Sequence, residues 1–448
     1  MHNRTEQFLN DPVFPLLIRM SAPNTIAFFI QAIVVLAEVW FISKLGTTSL
    51  AAVAIAFPII MLTQQMAFGA LGGAVTSSIA RSLGAEDKER AEKLLWHSLL
   101  LSCCGYLLFF LIFFIGGESL LMALGGEGSL LEESLLYIKI FLTGAIFIWL
   151  SGMLSAALRG IGNMRFPALL MIAGSGIQVI LAGGLILGWF GFPKLGIIGA
   201  PLSAISVAAL MAIVMIFKFM HSSSNVQLKL SNLSFKKELF RDIFNVALPA
   251  SLAPIFTVGT ILILTGLVGQ FGVSALAGYG IGSRIEFLMI PLVFGIGTAM
   301  TTMVGTNIGA KKVERAERIG WLGGSFAGLF SGMIGLMLIL SSSYWINFFA
   351  TDQATYEVTK QYIEIVGLCF TFQGLGLSLY FASQGANAMK WPIIATVIRF
   401  VVAALGGWIA VNWFSSGIAG VFYAAASAMT IYGVMLVLSL KLGAWRSN

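Results

Sequence analysis

The chain contains one charged motif twice. It reads Gly84-Ala85-Glu86-Asp87-Lys88-Glu89-Arg90-Ala91-Glu92 in the first half and, 225 residues later, Gly309-Ala310-Lys311-Lys312-Val313-Glu314-Arg315-Ala316-Glu317 in the second. Further matches lie at this offset or one residue beyond it, and they pair Pro23, Gly46, Tyr137, Gly160, Met164, Arg165 and Pro167 with Pro249, Gly272, Tyr362, Gly385, Met389, Lys390 and Pro392. Agreement at a nearly constant offset in separated segments indicates that the chain is an internal duplication.

The composition defines the class of protein. Of the 448 residues, 58% are hydrophobic, 50 are glycine and only 10% are charged. Soluble domains carry about 25% charged residues, and a core of this size needs a charged shell in water. The composition therefore excludes a soluble enzyme, a disordered protein and a nucleic-acid-binding protein, and it leaves an all-α membrane protein that crosses the bilayer many times.

Twelve apolar segments are long enough to cross a membrane, which takes about 20 residues as a helix. They lie near residues 16–44, 50–80, 94–116, 130–156, 166–188, 195–219, 244–269, 275–308, 319–341, 355–384, 391–412 and 417–440. We expect an N-terminal six-helix lobe at residues 1–220, a cytoplasmic linker at 221–241 and a C-terminal six-helix lobe at 242–448. An even number of helices keeps both halves in one orientation, so the two lobes should be pseudo-symmetric around a central cavity.

The basic residues predict the orientation. Twenty of the 26 lysines and arginines fall in the loops and helix ends on the side that holds both termini, and four fall on the other side. Cytoplasmic loops carry this excess. We therefore expect both termini in the cytoplasm and the protein in the inner membrane of a bacterial-type cell.

The cysteines and histidines form no cofactor or metal site. Cys103, Cys104 and Cys369 lie inside apolar runs, and the three histidines are far apart. There is also no phosphate-binding glycine loop, so we expect no cofactor, no metal and no use of ATP by the chain itself. No constellation of catalytic residues is visible, and we expect no enzyme activity.

Glu38 is the leading candidate for a functional residue. It lies in the first apolar segment, eight residues before Gly46 and so about 12 Å from the outer end of a helix. A carboxyl group at this depth is expensive and usually functional. Because burial disfavours its charged form, it could bind a proton and couple proton entry to the exit of a cation. Asn24 and Gln31 precede it at spacings of seven, which places all three on one helix face, expected to line the cavity.

Other polar side chains in the spans are weaker candidates for the cavity lining. Arg284 and Glu286 lie in span eight, and their positions two apart point them to different sides of a helix. Their repeat mates Pro58 and Ile60, like Leu264, the mate of Glu38, are not charged, so the cavity should be chemically asymmetric. A structural role for the pair is equally compatible with the sequence. The remaining candidates are Gln64, Gln65 and Arg399.

Three segments together resemble the multidrug and toxic compound extrusion (MATE) family. They read Ala37-Glu38-Val39-Trp40-Phe41-Ile42-Ser43-Lys44-Leu45-Gly46, then Leu158-Arg159-Gly160-Ile161-Gly162-Asn163 through Pro167, and Gly305-Thr306-Asn307-Ile308-Gly309-Ala310. The resemblance covers essentially the whole chain. It implies two six-helix lobes and the export of cationic or amphiphilic compounds in exchange for protons or sodium.

The resemblance also implies a coupling acid on the first helix, where this chain has Glu38 and aspartate is more usual. Other members have an aspartate on helix five, where residues 176–182 hold Gln178 and no acid. Some have acids on helices seven and ten, where this chain offers Thr257 and Gln373. These departures weaken a sodium site, because a hard cation needs several oxygen ligands, and they favour a proton taken up by one carboxyl group.

The sequence thus predicts a secondary active multidrug exporter that exchanges small organic cations for protons by alternating access. We expect membrane lipids around it, no nucleic-acid partner and a monomer. Two alternatives stay open, namely a sodium-coupled drug antiporter and a flippase for lipid-linked precursors. A flippase should have a strongly cationic cavity, whereas the candidate residues inside the spans include only two cations, Arg284 and Arg399, with the two acids Glu38 and Glu286.

Overall fold

The computed structural model describes residues 4–221, 226–349 and 352–446, without the side chains of residues 230, 285–288 and 348. These residues form α-helices and short 3₁₀ and π turns, and no β-strand occurs among them. The helices are α1 (Arg4–Asn10), α2 (Val13–Ser43), α3 (Thr47–Gln64), α4 (Gly72–Gly84), α5 (Lys88–Ala123), α6 (Gly128–Gly160), α7 (Arg165–Leu187), α8 (Gly199–His221), α9 (Lys237–Gly269), α10 (Val273–Gly309), α11 (Val313–Leu340), α12 (Ser342–Phe349), α13 (Gln353–Val366), α14 (Phe370–Gly385), α15 (Lys390–Asn412) and α16 (Gly417–Lys441).

The prediction of twelve membrane spans is confirmed: in the described part of the chain, twelve helical segments are long and apolar enough to cross a bilayer. Most spans are single helices. Span two joins α3 and α4 through a π turn at Gln65–Leu71, and span ten joins α13 and α14 through a 3₁₀ turn at Gly367–Cys369. The protein is an integral membrane protein.

The duplication is visible in the backbone. Gly46 and Gly272 precede α3 and α10 with φ of 124° and 101°, a region that only glycine enters readily. In the repeated charged motif, Glu86 and Lys311 both adopt the left-handed conformation, with φ of 62° and 60°. The two copies of the motif therefore fold into the same turn, although one places an acid and the other a base at this position.

The chain packs as two compact units. One comprises residues 26–247, and the other comprises residues 1–25 together with 248–448. The borders fall inside α2 and α9, so these packing units differ from the predicted lobes at residues 1–25 and 221–247. The lobes and the linker at 221–241 stay a prediction, and residues 222–225 of that linker lie outside the described part of the chain.

Each unit has its own apolar core. In the unit of residues 26–247, buried side chains from α2, α3, α5, α6 and α7 pack together, among them Ile42, Ile59, Leu121, Phe141 and Ile186. In the other unit, the core includes Val268, Met289, Val293, Val366 and Phe422. The repeat mates Tyr137 and Tyr362 take part in one core each. The polar side chains of the candidate site belong to helices that also contribute to these apolar cores.

Candidate functional site

The carboxyl group of Glu38 on α2 is held by two neighbouring helices. The Gln178 side chain on α7 donates from Nε2 to Glu38 Oε1 at 2.8 Å. The Ser203 hydroxyl on α8 lies 3.5 Å from the same oxygen, and it also donates to the backbone oxygen of Ala200 at 2.8 Å. Gln178 is therefore the stronger partner, because the single hydroxyl hydrogen of Ser203 is shared.

No cation is paired with Glu38 in the described part of the chain, where the ion pairs involve other carboxylates. The Glu38 side chain is half-buried. Phe41 and Ile42, which follow it in α2, belong to the apolar core of the unit. Neutral donors stabilise a carboxylate less than an ion pair does. The arrangement leaves Glu38 able to exchange its partners for a proton or for a cation.

Gln31, one of the predicted cavity residues, also binds α7. Its Oε1 accepts a hydrogen bond from the Ser175 hydroxyl at 3.0 Å. Two polar contacts, Gln31 with Ser175 and Glu38 with Gln178, therefore join α2 to α7. Gln31 and Glu38 thus contact the same neighbouring helix, as expected for two residues of α2 that are seven positions apart.

Asn24 belongs to the other unit. It is 3% exposed, and its Nδ2 donates to the Thr298 hydroxyl of α10 at 3.2 Å. The polar face predicted from Asn24, Gln31 and Glu38 is thus divided, since α2 changes packing partners between residues 25 and 26. A contact between two helices is the role that the structure shows for Asn24.

Gln64 and Gln65 flank the start of the π turn in span two. Gln64 is the last residue of α3 and is exposed, whereas Gln65 opens the turn and is half-buried. A π turn widens the helix locally and is frequent at functional positions. Neither side chain is joined to Glu38 by a described contact.

Arg399 on α15 lies in the unit of residues 1–25 and 248–448. Its Nη2 donates to the Thr257 hydroxyl at 3.1 Å, and its guanidinium lies 5.1 Å from the centre of the Tyr432 ring. The side chain borders a cavity of about 280 Å³ that Gln373 and Tyr362 also line. Arg399 and Glu38 therefore belong to different packing units.

The remaining pair cannot be joined into a site. Arg284 is exposed on α10. Glu286 is part of the same helix, and its side chain lies outside the described residues. The predicted roles of both stay predictions.

Two hydrogen-bond partners, Ser175 for Gln31 and Ser203 for Glu38, were not predicted from the sequence. Serines are common in membrane helices as small packing residues, so a single serine carries little signal. The spacing of Ser175 and Gln178, three residues apart on one face of α7, is the pattern that could have found the first of them.

A duplicated set of twelve spans with one half-buried carboxyl group on the first span defines an integral membrane transporter of the repeat-built class. The sequence profile of the MatE family matches residues 23–183 and again residues 249–409, each time beginning at a proline of the repeat. The chain belongs to this family of multidrug efflux transporters.

Proteins of similar sequence align with nearly the whole chain. The probable multidrug resistance protein NorM of Thermotoga maritima is 24% identical over 440 residues, which cover 96% of this chain and 93% of that protein. The FAD transporter of Shewanella oneidensis is 26% identical, with 90% of each chain covered. A solved structure of a multidrug resistance MATE family transporter in an outward-facing conformation superimposes with a TM-score of 0.91 at 24% identity, over 100% of this chain and 99% of that one, and it supports the fold.

Proposed function

We propose that the protein exports small cationic or amphiphilic organic compounds and takes up protons in exchange. The observation that carries the proposal is the position of Glu38, a carboxyl group within the first span whose partners are the neutral side chains of Gln178 and Ser203. Family membership supports the transport of small organic compounds.

The geometry suggests how one carboxyl group serves both ligands. The charged form of Glu38 accepts hydrogen bonds from Gln178 and Ser203 and attracts an organic cation. The protonated form is neutral, and its own O–H must find an acceptor, so the contacts to α7 and α8 change. If the proton and the cation bind the same group, each lowers the affinity for the other, and this coupling drives exchange.

A proton suits this site better than sodium. One carboxylate, one amide and one hydroxyl are the polar groups joined by the described contacts. The Gln178 amide directs its nitrogen at the Glu38 carboxylate, so the amide oxygen is not a ligand beside the carboxylate oxygens. A hard cation would need further oxygen ligands. Sodium coupling nevertheless stays the alternative that the experiment below must test.

The cellular setting is part of the proposal. The excess of lysine and arginine in the loops on one side supports cytoplasmic termini in a bacterial-type inner membrane. We also propose that a single chain is the working unit, because both halves of the repeat are present in it.

The test is export of ethidium from proteoliposomes under an imposed proton gradient or sodium gradient. The variants are Glu38→Gln, which keeps the shape and cannot be charged, and Glu364→Gln as a control at an exposed carboxylate of α13. We expect the proton gradient to drive export by wild type and by the control variant, and Glu38→Gln to lose this drive.

Three outcomes would contradict the proposal. Undiminished proton-driven export by Glu38→Gln would remove the coupling role. Export driven by sodium alone would assign the sodium antiporter. Lipid translocation without any export of cations would assign the flippase.

A further inference from the structure

The unit of residues 1–25 and 248–448 contains a cavity of about 280 Å³ whose polar lining differs in sign from the Glu38 site. Side chains from α9, α10, α14 and α15 contribute Thr257, Ser283, Gln373 and Arg399. None of the described residues that border the cavity is an aspartate or a glutamate. The described lining therefore carries one positive charge, several hydroxyl groups and one side-chain amide.

Arg399 is the charged group of the lining. Thr257 accepts one of its five N–H donors, and the Tyr432 ring supports the guanidinium from 5.1 Å. These two contacts orient the side chain without neutralising it. A partly buried guanidinium is stabilised by a negative partner, and its planar fork fits carboxylate and phosphate oxygens.

Gln373 on α14 is the second polar group aimed at the cavity. It is 7% exposed, and its Oε1 is a buried atom for which the described residues supply no hydrogen-bond partner. A buried polar atom without a partner is costly, and native structures contain few of them. The oxygen can accept from the O–H of a protonated acid group, and rotation of the amide by 180° presents Nε2 as a donor to a charged one.

We propose that this cavity binds an anionic group, a carboxylate or a phosphate ester, with Arg399 as the charged contact and Gln373 as the second one. The inference goes beyond the export of cations, because it adds compounds with an acidic group to the substrate range. It does not depend on Glu38, which lies in the other packing unit.

The test measures the fluorescence anisotropy of 7-hydroxycoumarin-3-carboxylate with the full-length protein in detergent. The matched ligand is 7-hydroxycoumarin, which lacks the acid. The variants are Arg399→Gln and Gln373→Leu, with Lys360→Gln as a control at a partly exposed lysine of α13, and the melting temperature of each variant reports whether it is folded.

We expect wild type and Lys360→Gln to bind the carboxylate more tightly than the matched ligand. Arg399→Gln should weaken carboxylate binding by about tenfold or more, the ratio that a lost charge-assisted hydrogen bond gives. Gln373→Leu should weaken it by a smaller factor and keep the fold. Unchanged carboxylate binding by a folded Arg399→Gln would overturn the proposal.

Should Arg399→Gln not fold, Gln373→Glu gives a nearly isosteric change that places a negative charge in the cavity. It should weaken binding of the carboxylate and leave 7-hydroxycoumarin unaffected, and equal binding of the carboxylate would count against the site. Glu38→Gln should retain carboxylate binding in every case, so a failure of the proton-coupled exporter is distinguishable from a failure of this site.

Competition identifies the source of the anionic group. Displacement of the probe by benzoate or phenyl phosphate would assign soluble organic anions. Displacement by dihexanoyl phosphatidylglycerol, with no effect of the two soluble compounds, would assign a lipid headgroup. Displacement by none of the three would show that the probe is held by its ring system and would contradict an anion site.

Discussion

Glu92 and Glu317 are mates in the repeated motif, and each binds the chain segment that follows the sixth span of its half. Glu92 accepts hydrogen bonds from the Asn232 side chain and from the backbone N–H of Gln227. Glu317 accepts two from the guanidinium of Arg446, at 2.8 and 2.6 Å. The duplication has thus kept the acceptor while the donors changed from amides to a guanidinium.

The first prediction concerns the anchoring of the linker. Glu92→Ala removes the acceptor for both Gln227 and Asn232, so the segment from residue 226 to 236 should detach more often. We expect trypsin to cleave after Lys229 and Lys236 several times faster than in wild type, measured by the rate at which half-length fragments form.

Glu317→Ala is the control for that variant. It breaks the contact to Arg446 and should expose the C-terminal end to carboxypeptidase, with no change at Lys229. Equal effects of both variants on both segments would mean that the glutamates act on global stability alone.

The second prediction concerns the ion pair that joins α9 to α4 and α5. Asp242 contacts Arg81 at 2.6 Å and Arg90 at 3.1 Å, and the first pair is largely buried. Asp242→Asn leaves a buried guanidinium without its counter-charge and should cost about 3 kcal/mol of unfolding free energy. Unfolding in increasing fractions of sodium dodecyl sulfate measures the loss.

The comparison pair for this measurement is Lys360 with Glu364, whose charged atoms are 4.0 Å apart and whose side chains are about half exposed. Glu364→Gln should change the unfolding free energy by less than about 0.5 kcal/mol. A loss of similar size in both variants would refute the argument from burial.

The third prediction ranks the partners of Glu38. Gln178→Leu removes a hydrogen bond of 2.8 Å to the carboxyl group, whereas Ser203→Ala removes a shared contact of 3.5 Å. We expect Gln178→Leu to lower proton-driven export by about tenfold and Ser203→Ala by about twofold, since a short hydrogen bond to a charged group contributes more. Initial rates of ethidium export at one protein density give the ranking, and the reverse order would contradict the geometry.

The fourth prediction concerns the close approach of α11 to span ten. A methyl group at Gly335 would collide with the backbone carbonyl of Gly367, which cannot move aside as a side chain could. Gly335→Ala should therefore cost about 2 kcal/mol or more. A methyl group added at Gly266 on α9 would meet no other atom, so Gly266→Ala should be neutral or slightly stabilising. Melting temperatures in detergent test the contrast.

Much of the fold could be predicted from the sequence, because membrane spans are long apolar runs and a duplication leaves matching residues. Asn24 shows where this reasoning fails. Its spacing from Gln31 and Glu38 is helical, but a periodic pattern cannot tell that α2 leaves one packing unit and enters another after residue 25. Likewise, the contacts of Arg399 with Thr257 and Tyr432 join three helices, and no local pattern brings them together.

The division of α2 has a consequence for biosynthesis. Residues 4–25 are translated long before their packing partners, which come from the second half of the chain. Phe8 receives a hydrogen bond from Asn307, and Asn24 gives one to Thr298. The first turns of α2 must therefore wait in the membrane without their final neighbours, until the 274 residues from Asn24 to Thr298 have been translated.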